Sequence, residues 1–119
     1  MKDIPIAPDD TIELWKTTQS DGTDFYTGRV NYNTEDIVVC PDWDPTWKGE
    51  CGHALHLADS PNAARYFLNH EQLKTARLFK VSVHIEDCIC FPGLPNYPMK
   101  IRVKKCRRIK EYPINYNQD

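Results

Sequence analysis

The chain has 119 residues, of which 40% are hydrophobic, 27% charged and 11% aromatic, and its formal net charge is −2. No apolar run reaches the about 18–20 residues of a membrane-spanning helix, and the first ten residues lack the apolar stretch of a signal peptide. Residues 1–60 hold twelve acids and four bases, whereas residues 61–119 hold five acids and eleven bases, which excludes a uniformly basic nucleic-acid-binding protein. We expect one domain over residues 1–119, with an ordered core at about 11–112, in the cytoplasm and away from membranes.

The first third of the chain is predicted to be β-structure. Apolar and polar residues alternate over 11–17, the pattern of a half-buried strand. Turn residues follow at 19–23, and the aromatic and branched residues of 25–30 predict a second strand and a hairpin. A short strand rich in β-branched residues is predicted at 37–40.

The middle of the chain contains the best helix signal. Residues 40–51 include two prolines and form a predicted loop, and 54–58 form a predicted strand. Ser60 is a favourable N-cap and Pro61 suits the first helical position, so a helix is predicted over about 61–69.

Strands again dominate the second half. The segment 76–85 is the strongest strand candidate, 88–91 is a shorter one, and the prolines of 92–98 predict a loop. Alternation over 100–104 predicts a strand with its apolar residues inward and its bases outward, and the polar tail beyond 112 is expected to fray. The sequence therefore predicts an α+β domain with twisted, mostly antiparallel sheets and one or two short helices.

Five cysteines without a secretory signal argue against a disulfide framework and favour reduced thiols or metal ligands. Cys40, Cys51, His53 and His56 lie within seventeen residues and are ligand types that zinc prefers, although their spacing is not that of a zinc finger. A zinc-stabilised structural module is therefore one hypothesis, and ordinary buried thiols with hydrogen-bonded histidines are its alternative. A Cys51 thiolate activated by a neighbouring histidine is another use of the same residues.

A run of bases is the second candidate site, because seven of the fifteen bases fall between residues 100 and 110. Alternate bases of a strand share one face, which suits phosphates or an acidic protein surface, and Tyr97 and Tyr112 flank the run and could stack on bases. The predicted partner is a host protein with an acidic surface or a nucleic acid, and the alternative is a solvated face paired with the acidic half of the chain. The predicted contact residues are Lys100, Arg102, Lys104 and Arg107, with Trp43 and Trp47 alongside.

The motifs PDWDP at 41–45, ECG at 50–52 and LH at 55–56 resemble a group of small bacterial and phage proteins with a PDWDP…ECG…GLH signature. The resemblance covers roughly residues 14–110, and His-Ala at 53–54 replaces the more usual Gly-rich pair. It implies relatedness but no established reaction. It favours an accessory protein of phage or mobile-element type that acts by binding.

The order of elements is also similar to that of ADP-ribosyltransferase-like domains, through the segments 14–17, 55–58, 60–66 and 78–85. This resemblance implies a split, twisted pair of β-sheets with a nucleotide cleft, and hence an enzyme that uses NAD. The catalytic candidates that it implies are Lys16, His56 and Glu86.

Overall fold

The computed structural model describes residues 11–25, 28, 30–33, 36–44, 46, 54–91 and 100–117. Within these residues, seven strands and two short α-helices form an α+β domain, which confirms the predicted fold class. The strands are β1 (Thr11–Thr18), β2 (Ile37–Val39), β3 (Leu55–Ala58), β4 (Arg77–His84), β5 (Cys88–Phe91), β6 (Lys100–Val103) and β7 (Lys105–Tyr112). The helices are α1 (Pro61–Tyr66) and α2 (His70–Thr75), and a single 3₁₀ turn spans Ile85–Asp87.

All seven strands join one sheet in the order β2-β7-β4-β1-β3-β6-β5, and every pairing is antiparallel. The longest ladder joins β1 to β4, from Thr11 opposite His84 to Thr18 opposite Arg77. The resemblance to ADP-ribosyltransferase-like domains implies two split sheets, whereas the described strands form a single one. Among the described residues, no helix is long and apolar enough to cross a membrane.

The sheet has two faces, because successive side chains of a strand point to opposite sides. We call one side the inner face; it carries Ile12, Leu14 and Val81, all at most 1% exposed. We call the other side the helix face; it carries Trp15 and packs against α1. The larger apolar cluster covers the inner face, and Trp15, Ala58 and Leu78 join Ala63 and Ala64 of α1 in the smaller one.

The two helices begin at well-formed caps. The Ser60 hydroxyl accepts a hydrogen bond from the Ala63 N–H at 3.1 Å, which confirms the predicted N-cap. The predicted helix over 61–69 is too long, because α1 ends at Tyr66 and Asn69 starts α2. The side chains of Asn69 and Gln72 each accept from the other's backbone N–H, forming a capping box.

The C-terminal part of the chain differs most from the prediction. Strand β7 was not predicted, and the tail beyond it is not frayed as far as Asn117. The Tyr112 and Tyr116 rings lie 5.1 and 5.6 Å from the Trp15 ring, centroid to centroid. The Arg65 guanidinium donates to the Ile114 and Tyr116 carbonyls at 3.0 and 2.6 Å. These contacts fix the tail to α1 and to the helix face.

The predicted strand over 25–30 is not found among the described residues of that segment, and β1 pairs with β3 and β4 instead of forming a hairpin with it. Thr23 pairs with Asn31, and Gly22, in the turn between β1 and Thr23, adopts a φ of 88°. A side chain at Gly22 would be strained at this φ and would also clash with the Cβ atom of Asn33. Tyr26, which the hairpin prediction included, lies outside the described residues.

Candidate binding surface

Strand β6 does not present its central base to solvent. Ile101 and Val103 are fully buried, as predicted, but Arg102 is only 2% exposed, so the expectation that it points outward is wrong. The physical reason is that the segment at Asp44 lies against the Arg102 side chain on the helix face. A guanidinium nitrogen of Arg102 lies 3.3 Å from the Asp44 carbonyl, to which it donates. Arg102 is therefore part of the interior.

His56 lies directly opposite Arg102 on β3, so the two side chains share the helix face. The Nδ1 atom of His56 and the Nε atom of Arg102 are both buried. Lys16 donates from Nζ to the His56 carbonyl at 3.0 Å, and its ammonium lies 5.7 Å from the centre of the Tyr32 ring. Two of the three catalytic candidates are thus neighbours, although they meet through a backbone carbonyl.

The third catalytic candidate stands apart. Glu86 is exposed in the 3₁₀ turn after β4, beyond the end of β1 at which Thr11 pairs with His84. Lys16 lies five residues further along β1, which corresponds to roughly 16 Å of extended strand. The candidates do not form one site, and NAD-using chemistry rests on the resemblance alone.

The candidate zinc ligands are only partly within the described residues, because Cys51 and His53 lie outside them. Cys40 is buried in the inner-face cluster with Cys106, and its thiol donates to Asp42 Oδ1 at 3.3 Å. His56 is on the helix face. Among the described residues, no group of three or more His, Cys, Asp or Glu side chains is arranged to hold a metal.

The cysteine next to Cys40 in the core is not a reactive thiolate. Burial raises the pKa of the Cys106 thiol to about 12, against a smaller opposing effect of the Lys16 charge. At neutral pH this thiol is therefore protonated and behaves as a small apolar side chain. Cys106 therefore has a packing role in the inner-face cluster, on a strand that lies between β2 and β4.

The exposed bases are on β7 and at its junction with β6. Lys104, Lys105 and Arg107 are exposed, and we call these three residues the cationic patch. No ion pair among the described residues involves any of them. The Lys104 backbone is fixed on both sides, since its N–H donates to the Asp87 carbonyl at 3.0 Å and its carbonyl accepts from the Cys40 N–H at 2.9 Å. Of the other predicted contact residues, Trp47 lies outside the described residues, as does the side chain of Lys100.

Two exposed apolar side chains border the cationic patch. Ile37 and Val39 are 44% and 56% exposed, and they lie opposite Arg107 and Lys105 on the neighbouring strand. Opposed residues of antiparallel strands share a face, so apolar and cationic side chains alternate in one continuous surface. We call Ile37 and Val39 the apolar pair.

The two predicted aromatic contacts within the described residues do not extend this surface, and Tyr97, like Trp47, lies outside those residues. Trp43 is half-buried against the inner-face cluster, and Tyr112 packs in the Trp15 cluster instead of standing free beside the bases. The sequence placed Lys105 in the basic run, although not among the predicted contact residues, and sequence reasoning missed the apolar pair. The β-branched residues at 37–39 were enough to predict a strand. They could not show that Ile37 and Val39 are exposed, because that depends on the position of β2 in the sheet.

Searches of protein-family models, curated proteins and solved structures found no match to this chain.

Proposed function

We propose that this chain is a binding protein whose cationic patch and apolar pair contact an acidic surface on a partner protein. The observation that carries the proposal is the set of exposed bases Lys104, Lys105 and Arg107, for which no described acid provides an ion pair. Complementary charge accelerates encounter and selects partners, while exposed apolar side chains supply the area that is buried on contact. We further propose a cytoplasmic accessory role of phage or mobile-element type, as the sequence resemblance suggests.

The composition of the surface favours a protein partner over a nucleic acid. Protein–nucleic acid surfaces are more polar and more positively charged than protein–protein surfaces, whereas this one interleaves Ile37 and Val39 with its bases. The Tyr112 ring, which would have offered stacking to a base, is engaged with the Trp15 and Tyr116 rings. Phosphate binding by the same bases is the competing outcome of the test.

The test measures binding of labelled poly-L-glutamate and of a single-stranded DNA oligonucleotide to the purified chain. Polyglutamate binding is expected to weaken as ionic strength rises from about 0.05 to about 0.5 M, because the Debye length shortens. Arg107→Glu is expected to weaken it about fivefold. Lys74→Glu provides the matched control, since it changes the net charge equally on an exposed residue of α2.

Two results would contradict the proposal. Equal losses from Arg107→Glu and Lys74→Glu would mean that net charge, not the cationic patch, governs binding. Tighter binding of the oligonucleotide than of polyglutamate, lost in Arg107→Glu, would make nucleic acid the partner.

A further inference from the structure

Strand β2 leaves backbone hydrogen-bonding groups at an open edge. It is the terminal strand of the sheet order, and no other described strand pairs with its outer side. The Asp36 carbonyl accepts from the Arg108 N–H at 3.0 Å, and the Cys40 N–H donates to the Lys104 carbonyl at 2.9 Å, both toward β7. Backbone groups of an antiparallel strand alternate in direction, so those of Ile37 and Val39 point away from β7.

The side chains along this edge are unusual for an unprotected strand. Exposed edges are commonly defended by charged side chains, proline or a bulge, because an unpaired row of N–H and C=O groups templates another strand. Here the outward-pointing backbone belongs to Ile37 and Val39, which are themselves exposed and β-branched. On the helix face the nearest charges stand one strand further in, at Lys105 and Arg107, while Asp36 and Pro41 flank β2 in the chain.

We infer that the outer edge of β2 receives an extended segment of the partner, which adds to the sheet as an eighth strand and carries acidic residues toward the cationic patch. The inference rests on the proposed function and specifies how the partner is held. An added strand would pair with the N–H and C=O groups of Ile37 and Val39, and its side chains on the helix face would cover the apolar pair. Glutamates on that face would meet the long side chains of Lys105 and Arg107 across β2.

A second copy of this chain is the less favourable occupant of the same edge. Pairing β2 with β2 of another molecule would bring two β7 strands within three strand spacings, about 14 Å. Lys105 and Arg107 of both copies would then face each other across the new ladder, and like charges at this separation repel. An acidic segment at the same position is attracted instead.

The experiment compares two synthetic peptides that alternate glutamate with valine and differ only in backbone methylation. One carries free amides, and the other is N-methylated at every glutamate amide, so that it keeps its charge but cannot donate to β2 in the orientation that places its glutamates on the helix face. The free peptide is expected to bind, and the methylated one to bind at least about tenfold more weakly. Equal binding of both would overturn strand addition while leaving the cationic patch as the contact surface. Failure of both to bind, with polyglutamate also inactive, would overturn the proposed function itself.

Two variants test the same edge from the side of the protein. Val39→Pro removes one outward N–H without touching the ladder to β7, and prolines are tolerated at such edge positions. It is expected to weaken binding of the free peptide about tenfold, whereas Val39→Thr keeps the β-branch and the N–H and is expected to bind within about twofold of the parent. Equal affinities of the two variants would overturn the inference.

A third measurement needs no variant. Amide hydrogen exchange at Ile37 and Val39 is expected to be fast in the free protein and slowed on addition of the free peptide, while Val38 is protected in both states. Slow exchange at Ile37 and Val39 in the free protein would show that the edge is already occupied and would overturn the inference. Sedimentation of the free protein as a dimer would assign the edge to a second copy, with the same consequence.

Discussion

Strands β6 and β7 share the basic run of this chain, but β6 buries an arginine and β7 exposes one. Arg102 of β6 is 2% exposed and donates to the Asp44 carbonyl, whereas Arg107 of β7 is exposed and has no described ion pair. Both strands lie between two neighbours in the sheet, so their position in the ladder does not explain the difference. The difference lies in what covers the helix face, since the segment at Asp44 meets Arg102, whereas the apolar pair beside Arg107 remains exposed.

The comparison shows that the residues lying over a face of the sheet decide whether a base on that face is buried or exposed. At Arg102 the guanidinium and its aliphatic stem are packed, so the side chain contributes to stability. At Arg107 the same group is solvated and is available for long-range attraction of an acidic partner. The first of three sets of variants tests this division between an interior base and a surface base, and the other two test the covered end of β7 and the ion pair between β4 and β7.

The largest effect is expected when the two arginines are truncated in turn. Arg102→Ala is expected to lower the free energy of unfolding by about 2–4 kcal/mol, because it leaves a cavity and removes a donor from the Asp44 carbonyl. Arg107→Ala is expected to change it by no more than about 0.5 kcal/mol, as for other exposed residues. Urea unfolding followed by tryptophan fluorescence measures both. Similar values for the two variants would abolish the distinction between β6 and β7.

An intermediate effect is expected at the covered end of β7. Tyr116→Ala removes a ring that contacts both Trp15 and Tyr112, and it is expected to cost about 1–2 kcal/mol of unfolding free energy. Tyr66→Ala is the matched control, because Tyr66 is 51% exposed at the end of α1. Equal losses from the two substitutions would mean that the C-terminal segment does not cover the helix face in solution.

The smallest effect concerns the one base–acid pair between β4 and β7. Arg77 holds Glu111 through hydrogen bonds of 2.9 and 2.6 Å, and these bonds lower the pKa of the Glu111 carboxyl below its usual 4.5. The folded state therefore binds this proton less readily than the unfolded state. The resulting stabilisation is present above pH 4.5 and is lost as the pH falls through the lowered pKa.

Because Glu111 is 42% exposed, this contribution is expected to stay below about 1 kcal/mol. Urea unfolding of the parent and of Glu111→Gln, at neutral pH and at about pH 3, measures it. The difference between the two proteins is expected to be larger at neutral pH. A difference that grows on acidification would contradict the assigned pairing.

The strands with a regular pattern could be predicted from the sequence, and β7 could not. Strands β1 and β4 alternate or carry dense apolar residues, and Ser60 with Pro61 marks the start of α1. In β7, by contrast, Cys106 is the only buried residue, and the register to β4 shifts by one residue at Ile109, between the pairs Lys80–Lys110 and Val81–Arg108. Such a strand is stabilised by its neighbours β2 and β4, and its sequence does not show the alternation of apolar and polar residues that predicts a strand. The capping box at Asn69 was available as a signal for α2, because Asn followed three residues later by Gln is its usual pattern.

The candidate surface was predictable in its charge but not in its composition. The basic run indicated a cationic region, yet whether Arg102 belongs to it depends on what lies over β6, which local alternation does not encode. The exposure of Ile37 and Val39 likewise follows from the terminal position of β2, a property of the whole sheet order. Periodicity assigns residues to one face or the other, and tertiary packing decides which face is covered.

The pairing of β2 with β7 also determines how long β2 stays unpaired while the chain is being synthesised. Val39 and Lys105 are paired although they lie 66 residues apart in the chain. Ribosomes add about 5–20 residues per second, so β2 waits between about 3 and 13 s for the strand that will bury Val38. Throughout that interval both edges of β2 are open instead of one. Its exposure to mispairing in the cell is therefore set by the rate of translation, not by the rate at which the finished sheet closes.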